Sequence, residues 1–347
     1  MQMMAGNVSE IYIRGKWIAV PAVVVGDKTI VVRGRWLKMA FIRSEEWLET
    51  ELTDPEYCIR LLKEQKPPLG RADIFTFTQK PSVTTPNHQY PREWDSIAVI
   101  TLASFKEWWE KLPQATRKNV RRAEKRGVVV TVREFNDELI RELAELNNDS
   151  PMRQGGRNFQ YGKSLEQLKK DYSSFLDRSD LICAYVGSEL IGFLKIVYRG
   201  EVASIINLIP KASHDDKRPA NALMAKAIEL CAARGVTCVT YGMFNYGNKR
   251  ENSLREFKIR NGFSEVLVPR FYVPLTRWGA ICMKLKLYRG LLGILPHNVI
   301  TLGVEVRAKL YRIKHATGRV HSLAEPSKGG RPEESSESSA GSNRDPQ

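Results

Sequence analysis

Apolar and β-branched positions dominate residues 9–43, where IYIRGKWIAVPAVVV and TIVVRGRWL are punctuated by Gly15, Pro21, Gly26-Asp27 and Gly34. That pattern predicts strands joined by tight turns. Residues 55–65 read as a helix, 72–78 as an alternating strand and 96–102 as a short apolar strand. A helix over 104–112 opens on Ser104 with Glu107 three residues on, and Pro113 separates it from a second, basic helix that Gly127 ends. From there the order becomes regular: a strand at 128–134, a helix at 136–147, a polar loop at 148–163 and a helix at 164–178. LICAYV and LIGFLKIVY flank Gly187-Ser188-Glu189, a hairpin signal, and VASIINLI follows as a third strand. A helix at 219–235, a strand at 236–241, a helix at 251–262 and a strand at 263–273 close the pattern. A hairpin followed by a strand–helix–strand unit implies an α/β fold with a mixed sheet, antiparallel first and parallel after.

The chain has 347 residues and a net charge of +15. Its hydrophobic fraction of 42% is enough for a buried core. No stretch reaches the roughly 18 apolar residues of a spanning helix, and the first residues show no apolar run behind a basic start. The five cysteines form no CxxC pair and the five histidines show no ligand spacing, so neither a disulfide framework nor a metal site is expected. The expected location is the cytoplasm. Charge is uneven along the chain. Residues 117–126 carry six basic side chains and one acid, and residues 276–320 carry nine and one. The Ser-, Gly-, Pro- and Glu-rich tail from 321 to 347 is expected to be disordered.

AYVGSELIGFLKIVY resembles the opening hairpin of the GNAT acyltransferase fold, and VASIINLIPKASHDDKRPANALMAKAIELCAARGVTCVTY resembles its donor-binding strand–loop–helix–strand core. TRKNVRRAEKRGVVV and NSLREFKIRNGF resemble the FemAB-like branch, whose members transfer acyl or aminoacyl groups to envelope precursors. The resemblance implies a GNAT-like mixed sheet flanked by helices over 128–275. It implies a smaller β-rich part at 1–112, a reduced first half of the same kind, joined by a basic helix at 113–127 and followed by a basic amphipathic extension at 276–320. It also implies a donor, acetyl- or acyl-coenzyme A or aminoacyl-tRNA, and a glycan or envelope-precursor amine as acceptor.

The resemblance places Lys258 near the reacting carbonyl, where a cation supports an oxyanion; the alternative is a solvated lysine on a surface helix. Tyr241, Asn245 and Tyr246 lie in the segment after the central strand, where ligands collect in open α/β sheets and where an ordinary loop also fits. Arg255 shares the face of Lys258, three residues away. Donor contacts fall on Leu208, His214, Lys217, Arg218 and Asn221. The loop before the central helix contains no glycine, and Asp215 and Asp216 repel phosphate, which puts coenzyme A in question and suits an aminoacyl-tRNA donor or a domain without donor. Arg153, Gln154, Arg157 and Tyr161 sit in a donor-rich loop that reads either as acceptor binding or as mobile surface. The basic helix Arg117–Arg126 suits a tRNA backbone or a solvated connector. Trp278, Ile281, Cys282, Leu285, Tyr288 and Leu292 recur at helical spacing with basic flanks, which suits peripheral contact with an anionic inner membrane or packing on the domain. The competing reading of the whole chain is a non-catalytic GNAT-like module that binds RNA or acidic glycan through its basic face.

Overall fold

The computed structural model describes residues 7–45, 52, 54–64, 71–81, 83–153, 156–245 and 253–289. All of them fall within one unit spanning Met1–Leu295. Gln154, Tyr246, the extension past 289 and the tail lie outside the described residues.

Strands β1 (Asn7–Ile13), β2 (Lys16–Val25), β3 (Lys28–Arg33) and β4 (Met39–Ile42) are followed by helix α1 (Pro55–Glu64), β5 (Ile74–Thr78) and β6 (Arg92–Thr101). Helices α2 (Phe105–Lys111) and α3 (Gln114–Lys125) lead to β7 (Val129–Arg133) and α4 (Asp137–Asn148). A short pair, β8 (Met152–Arg153) and β9 (Gly156–Arg157), precedes α5 (Leu165–Tyr172). Then come β10 (Ser179–Val186), β11 (Glu189–Arg199), β12 (Val202–Pro210), α6 (Pro219–Ala233), β13 (Cys238–Met243), α7 (Ser253–Arg260), β14 (Ser264–Pro274) and α8 (Arg277–Lys284).

The local signals act as their chemistry requires. Ser104 Oγ accepts from the Glu107 amide at 3.1 Å, and Ser164 with Gln167 completes a capping box at α5. Gly127 takes a left-handed φ of +76° directly after α3, and Gly187 turns the β10–β11 hairpin at +59°.

Twelve strands form one mixed sheet in the order β1-β2-β3-β4-β5-β14-β6-β13-β12-β11-β10-β7. Its two parallel contacts are β4 with β5 and β12 with β13, and a helix lies between the strands of each pair, α1 and α6 respectively. The order is symmetric about the central β14–β6 pair: each of these strands also pairs with the partner from the other parallel unit, β14 with β5 and β6 with β13. The first third of the chain therefore supplies a strand to the heart of the later sheet, and the last strand returns the exchange.

Alternation divides the two faces. Ile182, Ala184, Leu194, Ile196, Ala203 and Val239 pack into one core with α2, α3 and α6. Leu181, Cys183, Phe193 and Ile209 pack on the other side with α4 and α5. Both faces of β10 and β11 are covered, which explains their continuous apolar runs. A further core gathers Ile30, Phe75, Phe77 and Phe271 against Cys58, Ile59 and Leu62 of α1. All five cysteines are free.

Three expectations change in the folded chain. The helix read over 164–178 ends at Tyr172, because the buried Lys195 ammonium donates to the carbonyls of Tyr172, at 2.7 Å, and Ser174. Those carbonyls are satisfied by a side chain, and Phe175 turns left-handed at φ 55°. The loop read over 148–163 contains the β8–β9 hairpin. The helix read from 276 onward closes at Lys284; Lys286 is left-handed, and the chain turns so that Tyr288 and Arg289 both reach Glu93, Arg289 Nε at 2.7 Å.

Candidate functional site at the parting of β12 and β13

The ladder between β12 and β13 has only three steps, Val202↔Cys238, Ala203↔Val239 and Ser204↔Thr240. Beyond them the strands separate. On β12 the register with β11 jumps from Ile196↔Ile205 to Lys195↔Asn207, so Ile206 is an inserted residue that bends the strand. On β13 the register with β6 jumps from Thr240↔Val99 to Met243↔Ile97. Tyr241 and Gly242 thus stand outside both ladders, and β13 runs on to Met243, two residues past the strand end read from the sequence.

Lys258 sits at this opening. It is fully buried, not solvated, and its Nζ donates to the Met243 carbonyl at 2.6 Å while lying 4.6 Å from the centre of the Tyr241 ring. Burial lowers its pKa to about 8, so the side chain stays mostly protonated at neutral pH. The FKIRNGF segment builds this placement. Phe257 and Phe263 enter the core, and Asn261 Nδ2 donates to the Phe257 carbonyl at 2.7 Å. Gly262 takes φ +88°, and a Cβ there would meet Trp108 Nε1 at 3.0 Å. Trp108 Nε1 in turn donates to the Asn261 carbonyl at 3.1 Å.

Asn245 and Arg255 are brought together one step further on. Arg255 Nε donates to Asn245 Oδ1 at 3.1 Å, and Asn245 Nδ2 donates to Glu265 at 2.8 Å and to Ser96 Oγ at 3.2 Å. Ser96 and Glu265 come from β6 and β14, so the sequence around 241–258 gave no hint of them.

The donor loop follows β12 as a 3-10 turn over Ala212–Lys217, with Arg218 left-handed at φ 59° and Pro219 opening α6. A glycine-rich phosphate cradle points free amides at its anion. Here the Asp149 carboxylate already accepts from the Ala212 amide at 2.8 Å and the Ser213 hydroxyl at 2.9 Å. His214 lies 3.4 Å from Glu189, and Arg126 donates to Asp216 at 2.7 Å. The loop therefore does not fit the backbone cradle of a coenzyme A pyrophosphate. Leu208, Lys217 and Asn221 line the same strand–turn–helix half-exposed, and the Arg218 Nε is buried with no hydrogen-bond partner.

Of the described loop residues read for acceptor binding, Arg153 is engaged within the fold. Arg153 donates to the Leu146 carbonyl at 3.0 Å, with burial lowering its pKa, while Arg157 and Tyr161 are exposed. Gln160 Nε2 donates to Tyr12 at 3.1 Å, and Phe159 packs on Gly15, so this loop docks on the β1–β2 hairpin. Among the described residues no hydrogen bond joins it to Lys258, Tyr241, Asn245 or Arg255.

On the sheet face away from α6, Thr240, Gly242 and Met243 form part of the wall of a cavity of about 110 Å³. Charged side chains, Glu45, Asp95 and Arg270 among them, share the rest of the wall with apolar residues such as Ile42, Leu52, Ile97 and Val268. Arg270 Nε donates to Asp95 at 2.6 Å and its Nη1 to Glu45 at 3.2 Å; the other Glu45 oxygen accepts from the Thr78 amide at 2.6 Å. Burial raises the Glu45 carboxyl to about 7 against the pull of Arg270. Among the described residues no cluster of His, Cys, Asp and Glu suits a metal ion.

A family model described as the acetyltransferase (GNAT) domain matches residues 111–251. No curated protein matches the chain. Among solved structures, FemX aligns with a TM-score of 0.51 at 10% identity, covering 76% of this chain and 88% of its own. The C-terminal domain of a putative lysylphosphatidylglycerol synthetase from Agrobacterium fabrum aligns with a TM-score of 0.50 at 12% identity, covering 77% and 88%. The match and the shared architecture agree on the fold: a mixed GNAT-like sheet flanked by helices, similar to that of FemX.

Proposed function

We propose that the chain is an acyltransferase that moves an acyl or aminoacyl group onto an amine of a cell-envelope or polysaccharide precursor. One observation carries the reading: β12 and β13 separate after Ser204 and Thr240, and a buried lysine ammonium stands at the opening. Acyl transfer to an amine places negative charge on the carbonyl oxygen, and a cation held in a low-dielectric site is worth most there. Lys258 supports that charge, Tyr241 shapes the opening beside it, and Asn245 with Arg255 orders the mouth. The donor is an activated ester or thioester. The loop occupied by Asp149 favours aminoacyl-tRNA over coenzyme A, and α3, with Arg117, Lys118, Arg121, Arg122, Lys125 and Arg126, supplies cations for its backbone. Lys217 and Arg218 serve the donor phosphates.

The acceptor is presented at an anionic membrane surface on the cytoplasmic side. Supporting this, α8 buries Gly279 and Cys282 against the first part of the sheet and turns Trp278, Ile281 and Leu285 outward, with Leu285 61% exposed. Trp36, 60% exposed, joins them: the Trp278 indole donates to its carbonyl at 2.9 Å. Arg33, Arg35, Arg277, Lys284 and Lys286 surround this apolar patch, all exposed, and residues 28–43 and 274–289 contain no acid. Among the described residues no helix is long and apolar enough to cross a membrane. The deciding experiment is calorimetric titration with acetyl-coenzyme A and with charged tRNA. Binding of one donor supports the transferase; binding of neither at near-physiological salt removes it and leaves a non-catalytic module.

A further inference from the structure

The β1–β2 hairpin extends beyond the body of the sheet as an arm. β2 meets β3 only from Ala22 to Val25, whereas Lys16 to Pro21 pair with β1 alone. Pro21 has no N–H to extend the ladder, and it stands at the step where β2 leaves β3. Beyond it a two-stranded ribbon runs on without a third strand, and such a ribbon is marginal by itself. Val8 and Ile18 are 68% and 44% exposed on it, and its apolar attachment is a small cluster in which Ile11 and Val20 meet Val31. The tip is fastened far away in the sheet order. Seven strands separate β2 from β11, yet the tip lies on α5, the helix that packs with Phe193 of β11. The sheet therefore curls with the face away from α6 inside, and the arm closes the curl. The cavity on that face records the same curl, since Lys28 of β3 and Arg199 of β11 share its wall. The fastening is polar. Asp171 of α5, its side chain 3% exposed, accepts from the Trp17 indole at 2.8 Å and from the Tyr12 hydroxyl at 3.2 Å, and it pairs with Lys163. Lys163 also donates to Tyr12 at 3.0 Å, and Lys170 pairs with Glu10 at 2.8 Å. The receiving side is held firmly, because the buried Lys195 ammonium binds the carbonyls of Tyr172 and Ser174 at the end of α5.

We propose that the arm is a clasp: it swings about Pro21 while the rest of the fold stays intact, and its release opens the cavity side of the break between β12 and β13 to molecules larger than water. When the arm lifts, water takes over the hydrogen bonds of Asp171, Trp17 and Tyr12, an exchange that an apolar interface does not offer. The root of the arm and the cavity wall are one segment, because β2 ends at Val25 and Lys28, the first residue of β3, stands in the wall. Met243 and Ile97 are cross-strand partners, so their side chains share a face, and both residues line the cavity. A molecule that passes under the arm arrives beside Met243, whose carbonyl receives Lys258. Opening is a property of the fold alone; that the admitted molecule is the acceptor rests on the transferase reading. Segments that move for function are drawn from the less stable parts of a structure, and a ribbon tied at its tip by hydrogen bonds is one of these.

The test reads native methionines in the unaltered full chain. tert-Butyl hydroperoxide, too bulky to pass a closed wall, converts Met243 to its sulfoxide, and Met224, fully buried in the α6 core, reports global unfolding. Mass spectrometry follows both in low denaturant, beside amide exchange of residues 8–20. Met243 oxidation and arm exchange share one shallow dependence on denaturant, while Met224 follows the steep dependence of global unfolding. Trp17→Phe keeps a ring and loses the N–H, and Asp171→Asn keeps the shape and loses the charge. Each speeds both arm exchange and Met243 oxidation by about tenfold. Met243 oxidation with the slope of Met224, or constant while the two variants speed arm exchange, overturns the clasp. Arm exchange that occurs only with global unfolding overturns it as well. The comparison of slopes needs no variant, so it decides even where a variant does not fold. Donor binding is read separately. A chain that binds no donor keeps the clasp and loses the reaction, and a chain whose Met243 ignores the fastening loses the clasp and keeps the transferase reading.

Discussion

The hydroxyls of Ser204 and Thr240 lie 2.7 Å apart across the last paired step of β12 and β13. Both side chains are buried, so this hydrogen bond is the final tie before the strands diverge. Replacing Thr240 by Val keeps the shape and leaves the Ser204 hydroxyl without that partner. The expected cost is about 1–2 kcal/mol of stability, read by denaturant unfolding. The double variant with Ser204→Ala recovers part of it, since no orphaned hydroxyl then remains.

Lys258→Ala removes the buried cation while leaving Phe257 and Asn261 to hold α7. Turnover drops by roughly 100-fold to 1,000-fold, with a small change in donor affinity. The pH profile carries the sign. Burial puts the folded-state pKa near 8, below the free value of 10.5, so the cation is present below about pH 8 and activity falls as pH rises through that value. A transfer rate that stays flat from pH 7 to pH 10 would remove the oxyanion role from this residue.

Gly262→Ala tests the geometry that places Lys258. The residue's φ of +88° disfavours any side chain, and the added Cβ presses on Trp108 at 3.0 Å. Destabilisation of about 1–3 kcal/mol is expected, accompanied by a change in tryptophan fluorescence on folding. An unchanged melting temperature contradicts this account.

Trp36→Ala and Trp278→Ala each weaken co-sedimentation with vesicles containing phosphatidylglycerol by about tenfold, and raised salt weakens the unaltered chain further. Vesicles of phosphatidylcholine alone serve as the comparison. Equal binding to both vesicle types, or binding indifferent to both tryptophans, sinks the membrane surface.

The sequence by itself determined the elements and the kind of sheet, because hydrophobic period, caps and turn residues act over a few positions. Ser104, Ser164, Gly127 and Gly187 each do locally what their chemistry requires. The strand–helix–strand unit around α6 and the FKIRNGF segment were readable too, and with them Lys258, though not its burial: a lysine on a short helix looks solvated until Met243 and Tyr241 are placed around it.

Tertiary structure alone decided what lies beside that lysine. Asn245 meets Ser96 and Glu265 from strands 149 and 20 residues away, and Arg270 meets Glu45 across 225. Trp36 pairs with Trp278 across 242 residues. No periodicity reports such contacts, because they depend on β6 and β14 trading places at the centre of the sheet. The loop around Arg153 shows the converse: its donors suggested a ligand, and the fold spent several of them on its own carbonyls and on Tyr12. Side-chain chemistry is written in the sequence, but the partner that consumes or releases it is fixed by where the backbone goes.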